Sequence, residues 1–211
     1  MHEVDFYDEI TAEFQDVFQT NLSAENNAFK VYFTHNQICG NLKKGLDMLI
    51  EEHGLTCKAL LKFAANAPTI KIDIFGIVVY GDYFRLLIAE IKYKSAVGLT
   101  EYSQLLGYCI AANANYGLLV NVDAGESEDL IKILKTQPSM THIIRLLPDE
   151  QGRERHIKLA VMRWAHDSKT LTYSKLGVLP TIGRLCSDIV ISLNFDFVEE
   201  AMGVEPPKIN Q

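Results

Sequence analysis

KIDIFGIVVYGDYFRLLIAEIKYK, residues 71–94, decides the fold. Residues 69–80 and 83–93 are rich in Ile, Val, Leu and Tyr, and only Gly81-Asp82 separates them. Two such runs around a Gly-Asp pair predict a β-hairpin with a two-residue turn. That turn sets Tyr80 opposite Tyr83, and counting back along both strands brings Asp73 across from Glu90. Opposed Cβ atoms lie about 4.5–5.5 Å apart. Side chains alternate faces, so Lys92 shares the face of Asp73 and Glu90. Phe75, Ile77, Val79, Phe84, Leu86 and Ile88 complete that face. Ile72, Ile74, Val78, Leu87, Ala89 and Ile91 form the other, with Arg85 the exception. Two mostly apolar faces are expected of a central hairpin covered by helices on each side.

Outward from the hairpin, residues 4–20 read as an amphipathic helix with Phe6, Ile10, Phe14, Val17 and Phe18 on one stripe. Residues 28–33 predict a short strand. Residues 36–53 predict a helix with Ile38, Leu42, Leu46, Leu49 and Ile50 inward, stopped by Gly54. A shorter helix spans 56–65, ending before Pro68. After the hairpin, 99–115 returns to helical spacing and 116–122 (YGLLVNV) is an apolar strand, the crossover unit of a parallel pair. Residues 127–135 predict a helix, and 141–147, 155–164 and 188–198 predict strands. The fold class is α/β (α+β), a mixed central sheet flanked by helices. One domain is expected over 1–211, with a C-terminal extension at about 150–205, any boundary near 148–152, and a frayed tail at 206–211.

Composition narrows the function classes. The chain has 211 residues and a net charge of −7, so its overall field does not favour DNA. No run of about 18 apolar residues is present, so no membrane span is expected. The acidic start lacks the regions of a secretory signal. Cys39, Cys57, Cys109 and Cys186 have no CxxC spacing, which suits a reducing cytoplasm and argues against a zinc ribbon. The histidines lack ligand spacing, and no Walker loop or GxGxxG is present, so no nucleotide cofactor is expected.

Two carboxylates opposed at the end of a buried face repel, and a divalent cation offsets that. Asp73 and Glu90 are the expected ligands, with the backbone carbonyl of Ile91 as a third oxygen. Lys92 beside them suits a role on the attacking water or on charge developing at a phosphate. The alternative is a local Glu90–Lys92 ion pair on an exposed strand with Asp73 its neighbour.

An Asp, a hairpin's length, then Glu90-Ile91-Lys92 resembles the PD-(D/E)XK nuclease superfamily, with Ile72 where the family's proline usually stands. Gln104-Leu105-Leu106-Gly107-Tyr108 resembles the Q-x-x-x-Y helix signature of several branches, and Gln104 and Tyr108 share a helix face. Helix packing is the favoured role of Tyr108. The resemblance covers about 36–122. It implies a core in the order helix, three antiparallel strands, helix, strand. It also implies Asp73, Glu90, Lys92 and Gln104 as catalytic residues, Mg²⁺ as cofactor with Mn²⁺ as substitute, and double-stranded DNA as substrate. The acidic residue from the first core helix is then Glu51 or Glu52, with Glu25 a less favoured choice. Lys43, Lys44, Lys58, Lys62 and Lys94 are candidates to line the DNA approach, and Tyr93 is expected to pack on the opposite face. The basic and acidic run 145–158 reads as solvated surface.

No helix-turn-helix, zinc finger or basic recognition region is evident. That suits a cleavage subunit whose larger partner reads the site. The chain is similar to the small subunit of heterodimeric Type IIS restriction endonucleases, which implies cleavage of one strand by this chain. A self-sufficient homodimeric Type II enzyme, with specificity in residues 123–200, and a non-catalytic DNA-binding or assembly module remain open.

Overall fold

The Gly81-Asp82 turn forms with Gly81 at φ +57°, a left-handed conformation that costs glycine nothing. It joins β2 (Ile74–Tyr80) to β3 (Tyr83–Lys92), with Tyr80 opposite Tyr83 as the two-residue loop dictates. The computed structural model describes residues 1–145 and 155–201, without the side chains of 145 and 197–201. The expected boundary near 148–152, most of the 145–158 run and the tail 206–211 lie outside the described residues.

The hairpin sits inside a seven-stranded mixed sheet. β1 (Lys30–His35) pairs antiparallel with β2 at one edge. After α5 (Leu99–Ala111), β4 (Tyr116–Val122) pairs parallel with β3. β6 (Arg155–Ala165) pairs parallel with β4, so the chain beyond residue 154 continues the same sheet. β5 (His142–Arg145) and β7 (Thr170–Tyr173) pair antiparallel with β6. β1, β3, β4 and β6 therefore all end at one end of the sheet, where β2 begins.

Each face carries its own helical layer. Phe75, Ile77, Val79, Leu86 and Ile88 pack beneath α3 (Leu42–His53), α4 (Lys58–Ala65), α5 and α6 (Glu128–Thr136). Ile74, Val78, Leu87, Ala89 and Ile91 pack beneath α1 (Tyr7–Glu25) and α7 (Ile182–Ala201). The expected two-faced burial holds, and Arg85 explains itself: its guanidinium reaches Asp196 on α7 at 2.7 Å and also donates to Ser192. Gln15, on α1, lies along the free side of β1, where its Nε2 donates to the Val31 carbonyl at 2.9 Å and its Oε1 accepts from Phe33 N at 3.1 Å.

Four expectations are corrected. The helix over 36–53 is two, α2 (Asn36–Cys39) and α3, broken at Gly40, whose φ is +81°. Ile38 consequently points outward and is 62% exposed. Residues 188–198 are helix, part of α7, not strand. Their Ile, Val and Phe have strand propensity, yet Leu185, Cys186, Ile189 and Leu193 are buried at helical spacing. Ile72 packs with the Phe75 face, opposite to the alternation, because the chain leaves the ladder at Asp73. Finally, the helix that precedes the three antiparallel strands is α1, and the first of those strands is β1; both lie before residue 36.

Candidate active site

The pairing of β2 with β3 stops at Ile74 opposite Ala89, one step short of Asp73 and Glu90. The chain bends at Asp73, whose carbonyl accepts from Asn36 N at 3.0 Å. Its carboxylate then does what the missing strand would have done. Asp73 Oδ2 accepts the Ile91 N–H at 2.9 Å, and Oδ1 accepts the Tyr7 hydroxyl at 2.6 Å. The expected direct cross-ladder opposition of Asp73 and Glu90 is thus replaced by a side-chain continuation of the ladder. N–H and C=O of one strand residue turn to the same side, so the Ile91 carbonyl faces the gap that Asp73 fills.

Glu90 and Lys92 are buried, 2% and 8% exposed, and joined at 2.6 Å between Lys92 Nζ and Glu90 Oε1. They are a buried ion pair, not an exposed one. Glu3, on a 3-10 turn over Glu3–Phe6, sets Oε2 3.9 Å from Lys92 Nζ and accepts the Tyr93 N–H at 3.3 Å. Three carboxylates thus gather about one ammonium. Burial first, then the Asp73 charge, raises the Glu90 carboxyl to about 7, against the pull of Lys92. Burial acts to lower Lys92, but the Glu90 hydrogen bond and charge outweigh it and its pKa rises. Burial and the Asp73 bond together push the Tyr7 phenol far above its usual range, so it remains a donor.

The strand ends continue in order. Asn121, fully buried beside Lys92 in the register, accepts from Lys94 N at 3.2 Å and donates to the carbonyls of Lys94 and Gly125. Lys94 bonds Glu101 at 2.6 Å, and that bond with the Gly98 N–H holds the Glu101 carboxyl down at about 2.

Other expected residues fall elsewhere. Gln104 is exposed, and its amide donates to Tyr108 Oη at 3.2 Å on the same helix. Tyr108 packs against the α5 side of the core, as expected. Glu51 and Glu52 are exposed at the far end of α3. That helix starts near the site, with Leu42 N on the Ile70 carbonyl, and its His53 stacks on Tyr32 at 4.3 Å. At ~1.5 Å per residue Glu51 is roughly 14 Å along the axis from Leu42. The acidic residue that approaches the site is Glu3. Glu25 is exposed at the other end of α1. Lys58 bonds Asp82 at the hairpin turn, roughly 25 Å from Asp73 at ~3.3 Å per residue. It and Lys62 therefore line the opposite end of the sheet. Lys43 pairs with Asp47. Tyr93 packs its ring on Phe6 at 5.3 Å yet remains 44% exposed.

Glu3 and Tyr7 were not read from the sequence as site residues. One signal was present: Tyr7 falls on the apolar stripe of Ile10 and Phe14, and a buried tyrosine hydroxyl needs a partner.

Among the described residues no group of three or more His, Cys, Asp or Glu is arranged to hold a metal. The donor set nevertheless fits Mg²⁺, which takes hard oxygen ligands and is bound by as few as one or two carboxylates. Negative charge outnumbers positive here, and it adds to burial, the larger cause, in raising the Glu90 carboxyl. The sign of the linkage follows. A carboxyl raised on folding loses stability as pH climbs from its unfolded value towards 7. Metal-free protein is expected to lose about 1–3 kcal/mol between pH 5 and 8 through Glu90, each pKa step being worth about 1.4 kcal/mol. Glu90→Gln flattens that slope in urea unfolding. If the site takes Mg²⁺, the ion at ten times its dissociation constant is expected to return about 1.4 kcal/mol at pH 8 and less at pH 5. Equal stability with and without Mg²⁺ at pH 8 removes the cation from this site.

Comparison with family models, with curated proteins and with solved structures returns no match.

Proposed function

We propose that the chain is a metal-dependent DNA endonuclease hydrolysing phosphodiester bonds, the strand-cleaving small subunit of an enzyme whose larger subunit recognises the site. One observation carries the reading. A buried Glu90–Lys92 pair, with Asp73 within charge range, stands at the carboxyl ends of adjacent parallel strands. Ligands of open α/β sheets bind at such ends. Helix α1, antiparallel β1, β2 and β3, helix α5 and parallel β4 follow the order that the PD-(D/E)XK resemblance implies, which supports the same reading.

Asp73 and Glu90, with the Ile91 carbonyl, would hold Mg²⁺ (or Mn²⁺), which supplies a Lewis acid for the phosphodiester. Asp73 is held by the Tyr7 hydroxyl and the Ile91 N–H, so its orientation is set before substrate arrives. Lys92 supplies a fixed ammonium for the charge that grows on the phosphate, in a site where water screens it little. Asn121 ties down the chain after Lys92, which limits its drift. Gln104, exposed on α5, is proposed to touch DNA at a distance from the reacting atoms.

The larger partner is argued from charge. The chain carries −7, and Lys43, Lys58, Lys92, Lys94, Lys158 and Lys169 each bond a carboxylate. The four cysteines are free and buried, which agrees with a reducing cytoplasm. Among the described residues no helix is long and apolar enough to cross a membrane.

The test is plasmid cleavage with Mg²⁺, by the chain alone and with a larger recognition subunit encoded beside it. The expected result is little cleavage alone and one-strand cleavage in the assembly. Site-specific double-strand cleavage by the chain alone favours the homodimeric enzyme. An assembly that binds DNA but never cuts it, with either metal, leaves the non-catalytic module.

A further inference from the structure

Among the proposed ligands, Asp73 is the one that the β2–β3 pairing does not reach, its backbone carbonyl being held by Asn36 N on the β1 side. The ladder ends at Ile74, and α1 rather than the sheet supplies one of its two side-chain bonds. Tyr7 opens that helix and is 3% exposed. Its ring stands edge-on to His35 at 5.9 Å, and His35 Nε2 bonds Asp8 Oδ1 at 2.8 Å. His35 closes β1 directly opposite Ile74. The first turn of α1 therefore grips the sheet end twice, once through Asp8 and His35 and once through Tyr7 and Asp73. The second grip spans 66 residues of sequence and falls on a proposed ligand.

We propose that Tyr7 is a positioning residue for the cation site: its hydroxyl fixes Asp73 Oδ1 so that the carboxylate's remaining lone pairs face the ion. The inference rests on reading Asp73 and Glu90 as that site. Two donors, one on each oxygen, allow the carboxylate little rotation. An ion then binds without first ordering its ligand. Removing the hydroxyl leaves Asp73 with the Ile91 N–H alone, and the freed oxygen is hydrated, since Asp73 is only half-buried. Outer partners of metal ligands typically alter affinity by about 10–100-fold.

The experiment measures Mg²⁺ binding to the full chain by calorimetry, with thermal unfolding in EDTA alongside. Tyr7→Phe is expected to weaken the Mg²⁺ constant about tenfold, with unfolding in EDTA changed little. A merely structural tyrosine does the reverse, lowering the unfolding temperature while the constant stays within twofold, and that result overturns the proposal. 4-Aminophenylalanine at position 7 keeps an N–H donor and is expected to recover the wild-type constant; failure to recover it counts against the proposal. Where Phe at position 7 does not fold, 4-fluorophenylalanine replaces it as the hydroxyl-free comparison of similar bulk. Wild-type protein that binds no Mg²⁺ overturns the cation site itself and Tyr7's role with it. Wild-type binding with an unchanged Tyr7→Phe constant overturns Tyr7's role alone.

Discussion

Lys92→Met is expected, on the proposed nuclease reading, to lower Mg²⁺-dependent DNA cleavage by about two to three orders of magnitude, the usual cost of removing one preorganised donor at developing charge. Among the described residues Lys92 is the single ammonium beside Glu3, Asp73 and Glu90, and it is buried and fixed at 2.6 Å from Glu90. Lys94, two residues on, is committed to Glu101 and so is not placed to replace it. Methionine keeps the apolar stem in its place and removes only the charge. Glu90 then loses the partner that lowers its pKa, and takes a proton more readily. The folded state therefore survives best below neutrality, so thermal unfolding is compared at pH 6 and cleavage at pH 8. A variant that folds and keeps a tenth of wild-type cleavage overturns the assignment of Lys92 to the reaction.

Gly76→Ala is expected to destabilise the fold by about 3 kcal/mol, the upper end of ordinary overpacking. Gly76 lies in the middle of β2, opposite Phe33 on β1 and Leu87 on β3. A Cβ there would sit 2.3 Å from Phe33 Cε1. The Phe33 ring has little room to yield. It stacks on Phe14 at 5.3 Å and meets Phe18 at 5.2 Å, both fully buried on α1. Urea unfolding measures the loss, and Phe33→Leu in the same chain is expected to recover part of it. A Gly76→Ala protein within about 0.5 kcal/mol of wild type, the range of an uneventful surface change, shows that the ring moves aside freely.

The hairpin was legible because its determinants are local. A two-residue turn fixes register, and register fixes which of Phe75 to Ile91 share a face. The same locality made the α5–β4 crossover readable. What escaped was set over long distances. Asp73 leaves the β2–β3 ladder with its carboxylate on Ile91 N and Tyr7, while Asn36 N holds its carbonyl in the β1–β2 register, and no pattern in 71–94 contains Tyr7 or Asn36. The choice of Glu51 or Glu52 depended on which helix comes first in the core. That in turn depended on β1 pairing with β2 across about forty residues of intervening chain. Glu3 and Tyr7 reach the site from 66 to 90 residues away. In 188–198, local propensity and tertiary packing disagreed. Packing won there, with Asp188 and Ser192 one helical turn apart serving Tyr116 and Arg85.

Gln15 has a further consequence. A residue in a parallel neighbouring strand donates to one carbonyl and accepts from the amide two residues on. The Gln15 side chain makes that same pair of bonds to Val31 and Phe33 at the outer margin of the sheet. An exposed margin of this kind is a template on which another molecule's chain can extend the sheet, the first step of aggregation. Here one carboxamide stands in for the incoming strand and occupies the middle of the template. The Gln15 carboxamide thus closes, at Val31 and Phe33, two of the positions through which an incoming strand would pair.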